Sequence, residues 1–378
     1  MIDIKHSIFD FNPHQWNACV PDNHPFLKFE FYQALEESKC IGPEIGWIPF
    51  YLHYSIDGVI KAILPIFLKS HSYGEFIFDW AWAQAYEKYG LDYYPKLLAA
   101  LPHTPVSAPK MITKENLSID IFLESIKELS RDYKCSSTHL LFTSNKETKD
   151  LNHHSKYFHR HSLQYHFQNK NYKTFDDFLA MLRKDKRKNF KKERRAIFEN
   201  TSIQINEKTG NQIKTEDAKF MSNVYLMTIQ KKWSQAYLNE VFFERWFELQ
   251  KEQMLYIEAT INNKPIAAAI HLKSDSKLFG RYWGCTEEVP YLHFELCYYR
   301  AIEFAIKNNL SIVEAGAQGE QKLVRGFEPV LIDSFHKIEN ENFETAINAF
   351  LIKEKKQLSE IKNDLEEKML PFKRSNDQ

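Results

Sequence analysis

The sequence lacks a hydrophobic run long enough to cross a membrane. Its longest apolar stretch, residues 59–68, is interrupted by Lys61 and Pro65, whereas a spanning helix needs about 20 apolar residues. It also lacks a charge excess, because 50 lysines and arginines balance 50 aspartates and glutamates. A neutral chain has no overall field that attracts nucleic acid or membranes. The N-terminal MIDIKHSIFDFNP contains no apolar secretory segment, so we expect a soluble, cytoplasmic protein in which any anion site is local.

Cysteine is scarce, and familiar cofactor motifs are missing. The cysteines are widely spaced without a CxxC pair, which disfavours a disulfide framework and suits a reducing compartment. The sequence contains no P-loop, GxGxxG or GxSxG motif. The pairs His153–His154 and His159/His161 lack a ligand set with fitting spacing. We therefore expect no metal site and no tightly bound cofactor.

The most informative pattern is an internal repeat. Residues 58–70 read GVIKAILPIFLKS and residues 264–274 read KPIAAAIHLKS. Each follows a strand-like run and a polar turn, Asp57-Gly58 or Asn262-Asn263, of the kind that closes a hairpin. An aromatic strand is predicted next, at 75–82 and at 277–285, then a helix with a double tyrosine, then a short strand at 105–109 and at 311–316. The repeated order predicts a duplicated α/β (α+β) domain.

The remaining segments complete the two copies. An amphipathic helix near residues 119–131, a strand at STHLLFTS and an alternating strand at 160–168 end the first copy. Thr174 with Asp177 predicts a helix start, and a final helix is predicted over about 342–369. We expect an N-terminal domain at 1–168 and a C-terminal domain at 169–378.

Several long motifs resemble a known family. The likeness is carried by the stretches SHSYGEFIFDWAWAQAYEKYG, RKDKRKNFKKERR, GRYWGCTEEVPYLHFELCYYRAIEFAI and EAGAQGEQKLVRGFEP. They look like a family of predicted N-acyltransferases that is described under peptidoglycan biosynthesis/recognition. That family is similar to the Fem-type peptidyltransferases. The resemblance covers nearly the whole chain. It implies two tandem GNAT (acyl-CoA N-acyltransferase) folds with mixed sheets flanked by helices. It also implies transfer of an acyl group to an amine or hydroxyl, with the donor taken from CoA or from aminoacyl-tRNA.

A basic run at residues 183–195 contains nine lysines or arginines against Asp185 and Glu193. Such a helix can neutralise phosphates with strong salt dependence. The donor-binding candidates here are Arg187, Lys188, Lys191 and Arg194. A solvated helix face paired with acids elsewhere is the alternative interpretation.

The stretch at 281–300 occupies the position that flanks the acyl donor in a GNAT domain, by resemblance. Its Gly-rich phosphate loop is missing, since Gly284 is followed by Cys, Thr and two glutamates. His293 and Glu295, with Glu314 on the next strand, are the candidate catalytic bases, because a base near an amine removes its proton during attack. For His293 and Glu295 the alternative is that they satisfy hydrogen bonds at a helix end.

The segment 314–329 is the sharpest local signal, because its glycines permit close backbone approach. Gln318, Lys322 and Arg325 are candidates for binding the donor, and either cation suits an oxyanion. A structural turn with an exposed cation is the alternative.

The acceptor-binding candidates are Asp79, Trp80, Tyr282 and Trp283. An aromatic core is the alternative for the first two. Together these features favour an N-acyl or aminoacyl transferase that uses acyl-CoA, an acyl carrier protein or aminoacyl-tRNA as donor and a small amine or cell-wall precursor as acceptor. Two other hypotheses remain: a non-catalytic module that recognises an anionic glycan or peptide, and an RNA-binding protein that uses residues 183–195.

Overall fold

The computed structural model describes residues 1–200, 202–316 and 319–373. The chain divides into two compact units. Unit 1 contains Met1–Leu163 and Leu331–Ile361, and unit 2 contains Gln164–Val330 and the chain from Lys362 onward. Segment 331–361 therefore packs in unit 1, although it follows the second repeat.

The strands of the described residues are β1 (Ile2–Lys5), β2 (Trp47–Ile56), β3 (Val59–Lys69), β4 (Lys96–Ala99), β5 (Ser137–Leu140), β6 (Phe158–Gln168), β7 (Ile203–Thr209), β8 (Met254–Ile261), β9 (Lys264–Lys273), β10 (Lys277–Cys285), β11 (Ile312–Glu314) and β12 (Phe327–Ile338). The helices are α1 (Pro13–Cys19), α2 (Phe29–Glu37), α3 (Trp80–Lys88), α4 (Leu123–Asp132), α5 (Asn145–Leu151), α6 (Phe175–Ala180), α7 (Lys184–Phe198), α8 (Thr215–Lys231), α9 (Glu240–Gln250), α10 (Leu292–Phe294), α11 (Arg300–Lys307) and α12 (Glu341–Met369). A π-helical segment, Glu295–Tyr299, joins α10 to α11.

The two predicted hairpins are confirmed. β2 pairs with β3, and β8 pairs with β9, in antiparallel register. Both turns place two successive residues at positive φ: 49° and 76° at Asp57 and Gly58, and 51° and 60° at Asn262 and Asn263. Two positive φ values match the backbone twist of the flanking strands, which is why Asp, Asn and Gly stand at these positions.

Each unit has the same sheet order. In unit 1, β1 to β4 pair successively in antiparallel fashion, β5 is parallel to β4, and the 335–338 part of β12 is antiparallel to β5. In unit 2, β7 to β10 are antiparallel, β11 is parallel to β10, and the 166–168 part of β6 is antiparallel to β11. The predicted duplication of a mixed α/β fold is thus confirmed, and the sixth strand of each unit comes from the other repeat.

The first repeat differs from its prediction at residues 75–82. This segment is not a strand: it ends in helix α3, and Tyr93 and Tyr94 precede β4 instead of lying in a helix. β4 supplies the fourth strand, so residues 70–95 are an insertion between the two paired strands. Residues 105–109 also form no strand.

The physical reason is a buried charge cluster. Lys69 and Lys96 are cross-strand partners in β3 and β4, and both are fully buried. Burial opposes ionisation of Asp79, but Lys96 at 2.5 Å holds the pKa of that carboxyl far below its ordinary value. Glu75 lies 2.8 Å from Lys96. The inserted segment therefore folds inward to neutralise two lysines, because unpaired buried charges are very costly.

A hydrophobic core of unit 1 lies between its strands and helix α4. In unit 1, β2, β3, β4 and β5 bury one face against α4, where Ile126 and Leu129 pack with Phe335 of β12. Among residues 1–200, 202–316 and 319–373, no helix combines the length and the apolar character that crossing a bilayer requires.

Candidate functional site

The two parallel strands of unit 2 diverge. β10 and β11 pair only over Lys277–Phe279 and Ile312–Glu314. β10 then shifts register against β9 between Gly280 and Tyr282 and continues to Cys285. Its last residues therefore lie beyond the final β11 partner, so β11 takes none of their backbone hydrogen bonds. One of these groups, the Trp283 carbonyl, accepts from the Thr228 hydroxyl of α8 at 3.2 Å. A strand end that has lost its neighbour can hydrogen-bond an extended ligand.

Gly284 fixes the packing of this strand. A Cβ atom there would lie 2.2 Å from the carbonyl oxygen of Val224 in α8, so only glycine permits the contact. Tyr282 packs on the same side as Tyr225, at a ring distance of 5.2 Å. Trp283 instead lies beside His293, with ring centroids 5.2 Å apart. Successive residues of a strand face opposite sides, so the structure separates the two predicted acceptor-binding aromatics.

His293 lies in α10 between aromatic rings. Its ring centroid is 5.2 Å from those of Trp283 and Tyr298. Burial lowers the pKa of His293 to about 4, and the charges of Lys322 and Arg325 act in the same direction. The imidazole is therefore neutral near pH 7 and has a lone pair that can accept a proton.

Lys322 is a buried lysine with a lowered pKa. It lies in the 3-10 turn Glu320–Arg325, is 3% exposed, and donates to the carbonyl oxygen of Gly316 at 2.8 Å. Burial lowers the pKa of Lys322 to about 8, the neighbouring Cys297 thiol opposes this shift, and Lys232 adds to it. Near neutral pH the group is a desolvated ammonium close to its titration point, as functional lysines often are.

Glu314 ends β11 and is 2% exposed. One carboxylate oxygen accepts from Nζ of Lys277 at 3.0 Å, and the other lies 3.9 Å from Nε2 of His166. Burial is the main cause that lowers the pKa of His166. Glu314 is therefore a buried carboxylate held by a lysine at the base of the diverging strands.

Glu295 is fully buried and its carboxylate is bound to two arginines. Arg194 donates to both of its oxygens at 2.8 and 3.0 Å, and Nε of Arg300 donates to Oε1 at 2.9 Å. Arg194 also binds Glu303 at 2.7 Å. Burial opposes the charge of Arg194, but the two glutamates raise its pKa further. This arrangement joins the basic helix α7 to α11.

Arg325 makes a second connection to α7. Its guanidinium binds both oxygens of Glu193 at 2.9 Å and donates to the Tyr299 hydroxyl at 3.0 Å. The Tyr299 hydroxyl also donates to Glu193. Arg325 is 6% exposed and stacks 3.3 Å from the Phe294 ring centroid. Arg194 and Arg325 therefore hold α7 in place, whereas Lys188 and Lys191 are exposed and Arg187 is half-buried.

A cavity of about 540 Å³ lies beside this helix in unit 2. Its apolar wall and its basic rim come from α6 and α7. The lining residues are Thr174, Phe175, Asp176, Leu179, Phe190, Lys191, Arg194, Arg195, Phe198 and Glu303. Of the predicted donor-binding residues, Lys191 and Arg194 meet at this cavity.

The other predicted acceptor-binding residues lie in unit 1. Asp79 is 3% exposed and accepts from Nζ of Lys96 and from the hydroxyl of Tyr93 at 2.6 Å. Trp80 is half-buried against Tyr73, with ring centroids 5.0 Å apart. Asp79 thus belongs to the buried charge cluster that shapes the inserted segment.

Gln318 lies outside the described residues.

The sequence reasoning missed Cys297 and Glu303, and it missed the aromatic wall formed by Phe175 and Phe198. Helical spacing within EFAI and ELCYY was the available signal, since it places Glu303 on the same face as Glu295 and Tyr299.

The chain matches one known protein family over nearly its whole length. The model of the FemAB-like family, described as peptidoglycan biosynthesis/recognition, matches residues 7–374. The crystal structure of FemX superposes with a TM-score of 0.56 at 10% identity, covering 92% of this chain and 100% of that chain.

Two further structures have the same fold. One is a conserved protein of unknown function from Bacteroides thetaiotaomicron, with a TM-score of 0.54, 9% identity and coverage of 89% and 99% of the two chains. The other is the C-terminal domain of a putative lysylphosphatidylglycerol synthetase from Agrobacterium fabrum, with a TM-score of 0.52, 7% identity and coverage of 90% and 95%. At these identities the likeness concerns the fold alone. The curated proteins offer no match.

Proposed function

Since the chain belongs to the FemAB-like family of peptidoglycan biosynthesis and recognition, we propose that it is a transferase that moves an aminoacyl or acyl group from an activated donor to the amine of a cell-wall precursor. The observation that carries the proposal is the buried Lys322, whose charge acts on His293, the residue that packs on Trp283 at the end of β10. A desolvated cation can stabilise the negative charge that develops on the carbonyl oxygen during acyl transfer.

The donor carbonyl would lie along the end of β10, past Gly280. When an amine attacks an ester or thioester carbonyl, negative charge develops on the carbonyl oxygen. The Lys322 ammonium, fixed by its hydrogen bond to Gly316, would stabilise that charge, and it acts strongly because its surroundings are desolvated. The tetrahedral intermediate then expels the donor's alcohol or thiol, and the acyl–nitrogen bond remains.

His293 would take the proton that the attacking amine loses, directly or through a water molecule. It is neutral near pH 7 for the reasons given above, and it lies beside the partly exposed Trp283, which would contact the acceptor. In this proposal Glu295 and Glu314 position the surrounding elements, because both carboxylates are bound to cations.

The phosphates of the donor would bind to helix α7. α10 is a poor alternative, since it is short, its N-cap Tyr291 makes no side-chain cap, and Glu288 in the preceding loop is paired with Lys231 at 2.9 Å. The exposed lysines of α7 carry positive charge along a helix face instead. A long polyanion fits such a face better than a pyrophosphate fits an acidic loop, so aminoacyl-tRNA is the donor we favour over acyl-CoA.

The test is a transfer assay with purified protein, in which acyl-CoA, acyl carrier protein and aminoacyl-tRNA donors are combined with amine-bearing cell-wall precursors and products are detected by mass spectrometry. We expect transfer from aminoacyl-tRNA. Lys188→Glu with Lys191→Glu should weaken donor binding, and the salt dependence of binding should fall with it. The matched control is Lys353→Glu with Lys356→Glu on α12, where both lysines are exposed. If no donor is bound and no product forms, the proposal is wrong.

A further inference from the structure

Three potential metal ligands meet in unit 1. His159 and His161 lie on β6, and Asp333 lies on β12. One ligand atom from each residue lies within 4.8 Å of the others. Their side chains are 16%, 12% and 22% exposed, so the group is partly shielded but reachable from solvent.

The spacing fits a small cation. Nε2 of His159 lies 2.7 Å from Oδ1 of Asp333, and Nε2 of His161 lies 3.3 Å from the same oxygen. Ligands about 2.0–2.1 Å from a tetrahedral ion are about 3.3 Å apart. His161 already stands at that separation, and the His159 pair needs to open by only about half an ångström. Both imidazoles contact the same oxygen, Oδ1 of Asp333. A bound ion would replace these two contacts with bonds from each ligand atom to the metal.

We propose that His159, His161 and Asp333 form a binding site for a divalent transition-metal ion, with water completing its coordination. Two imidazoles and one carboxylate favour Zn²⁺ or Fe²⁺ over Ca²⁺ or Mg²⁺, which prefer oxygen ligands. The site lies outside the residues assigned above to acyl transfer.

The surroundings of the ligands support this assignment. The Thr148 hydroxyl donates to Oδ2 of Asp333 at 3.2 Å, which orients the carboxylate. Phe335 stacks on the His159 ring at 4.7 Å with an interplanar angle of 5°, which fixes the imidazole. Nδ1 of His161 is buried without a hydrogen-bond partner among the described residues. Contacts that orient metal ligands in this way tune affinity as much as the ligands themselves.

One neighbour opposes the ion. Nζ of Lys355 lies 3.1 Å from Nδ1 of His159, which makes that nitrogen an acceptor. When Nε2 of His159 binds a metal ion, Nδ1 must carry the proton and Lys355 must move away. The structure therefore predicts that removing this ammonium strengthens metal binding.

Calorimetric titration of chelator-treated full-length protein with Zn²⁺ tests the proposal. We expect one ion per chain, and a loss of affinity of about tenfold or more for His161→Ala and for Asp333→Asn. Titration with Co²⁺ should give a visible spectrum without thiolate charge-transfer absorption, since the cysteines are not ligands. His154→Ala is the matched control, because His154 pairs with Asp120 at 2.8 Å and, among the described residues, belongs to no group of three ligands.

Lys355→Met separates binding from a folding defect, because it leaves the three ligands in place. We expect its Zn²⁺ affinity to rise several-fold while its circular dichroism stays that of the parent. The proposal is overturned if the parent takes up no stoichiometric Zn²⁺, if His161→Ala binds as tightly as the parent, or if Co²⁺ shows thiolate bands. None of these readouts depends on acyl transfer.

Discussion

Replacing Lys322 by methionine should stabilise the protein while it removes the proposed activity. Lys322 is 3% exposed, and burial lowers its pKa from 10.5 to about 8. One pKa unit corresponds to about 1.4 kcal/mol, so keeping this ammonium charged in the folded state costs about 3 kcal/mol. Methionine removes that cost but leaves the Gly316 carbonyl without its hydrogen bond, a loss of about 1 kcal/mol. We expect a net gain of about 2 kcal/mol in the free energy of unfolding at pH 7.

The free energy of unfolding of the parent should depend on pH because of Lys322. A lysine whose pKa is lowered by folding binds fewer protons when folded than when unfolded. The cost is present in full below about pH 8 and is relieved as the pH rises towards 10.5, so the stability of the parent should rise across that window. Lys322→Met should lack this rise. Urea unfolding at pH 7, 9 and 10.5 measures the difference, and Lys353→Met, at an exposed lysine of α12, should stay within about 0.5 kcal/mol of the parent.

The same variant tests catalysis. Removing one group that stabilises an oxyanion lowers kcat by about 100- to 1,000-fold. A substitution that stabilises the fold but abolishes activity indicates that the original residue serves function at a cost in stability. If Lys322→Met is instead destabilised at pH 7, with a difference from the parent that does not change with pH, then Lys322 is not a buried charged group and the reasoning fails.

Two further predictions concern stability. Arg194→Ala should cost about 3 kcal/mol, because it strips a guanidinium from the buried carboxylate of Glu295; the neighbouring Arg195→Ala, at a side chain that is 70% exposed, should be nearly neutral in the same urea titration. Gly284→Ala should lower the free energy of unfolding by about 2 kcal/mol, because the added methyl overlaps the Val224 carbonyl, and an unchanged melting temperature would contradict the packing described for α8.

Composition alone predicted helix α7 but could not predict how it is held. Nine basic residues in a short run are visible in the sequence. The sequence predicted one helix from Thr174 through this run, whereas the structure ends α6 at Ala180 and begins α7 at Lys184, after an N-cap Arg183 that makes no side-chain cap. Arg194 and Glu295 are 101 residues apart, and Arg325 and Glu193 are 132 residues apart. Pairings of that separation are fixed by tertiary structure. For this reason the sequence could not distinguish the lysines that face solvent from the arginines that bind buried acids.

The strand predicted at residues 75–82 failed for a related reason. Its aromatic alternation resembles β10, but the carboxylates of Glu75 and Asp79 interact with lysines of two different strands. The long-range electrostatic gain outweighs a local β preference, which spans only about 1 kcal/mol. The sequence could not reveal the group formed by His159, His161 and Asp333 either, because Asp333 lies 174 residues after His159 and reaches it only in the folded unit 1.

The two repeats differ most where the proposed reaction needs them to differ. In unit 1 the fourth strand, β4, ends at Ala99 together with its last β5 partner, Leu140. Past the end of β4, β3 pairs with Ile112 instead: the backbone of Ile63 exchanges two hydrogen bonds with that of Ile112, at 2.7 and 3.0 Å. In unit 2 the fourth strand itself continues past its parallel partner. An acyl donor that binds by strand-like hydrogen bonds would therefore find its edge in unit 2, and for this reason we propose one donor site for the two repeats.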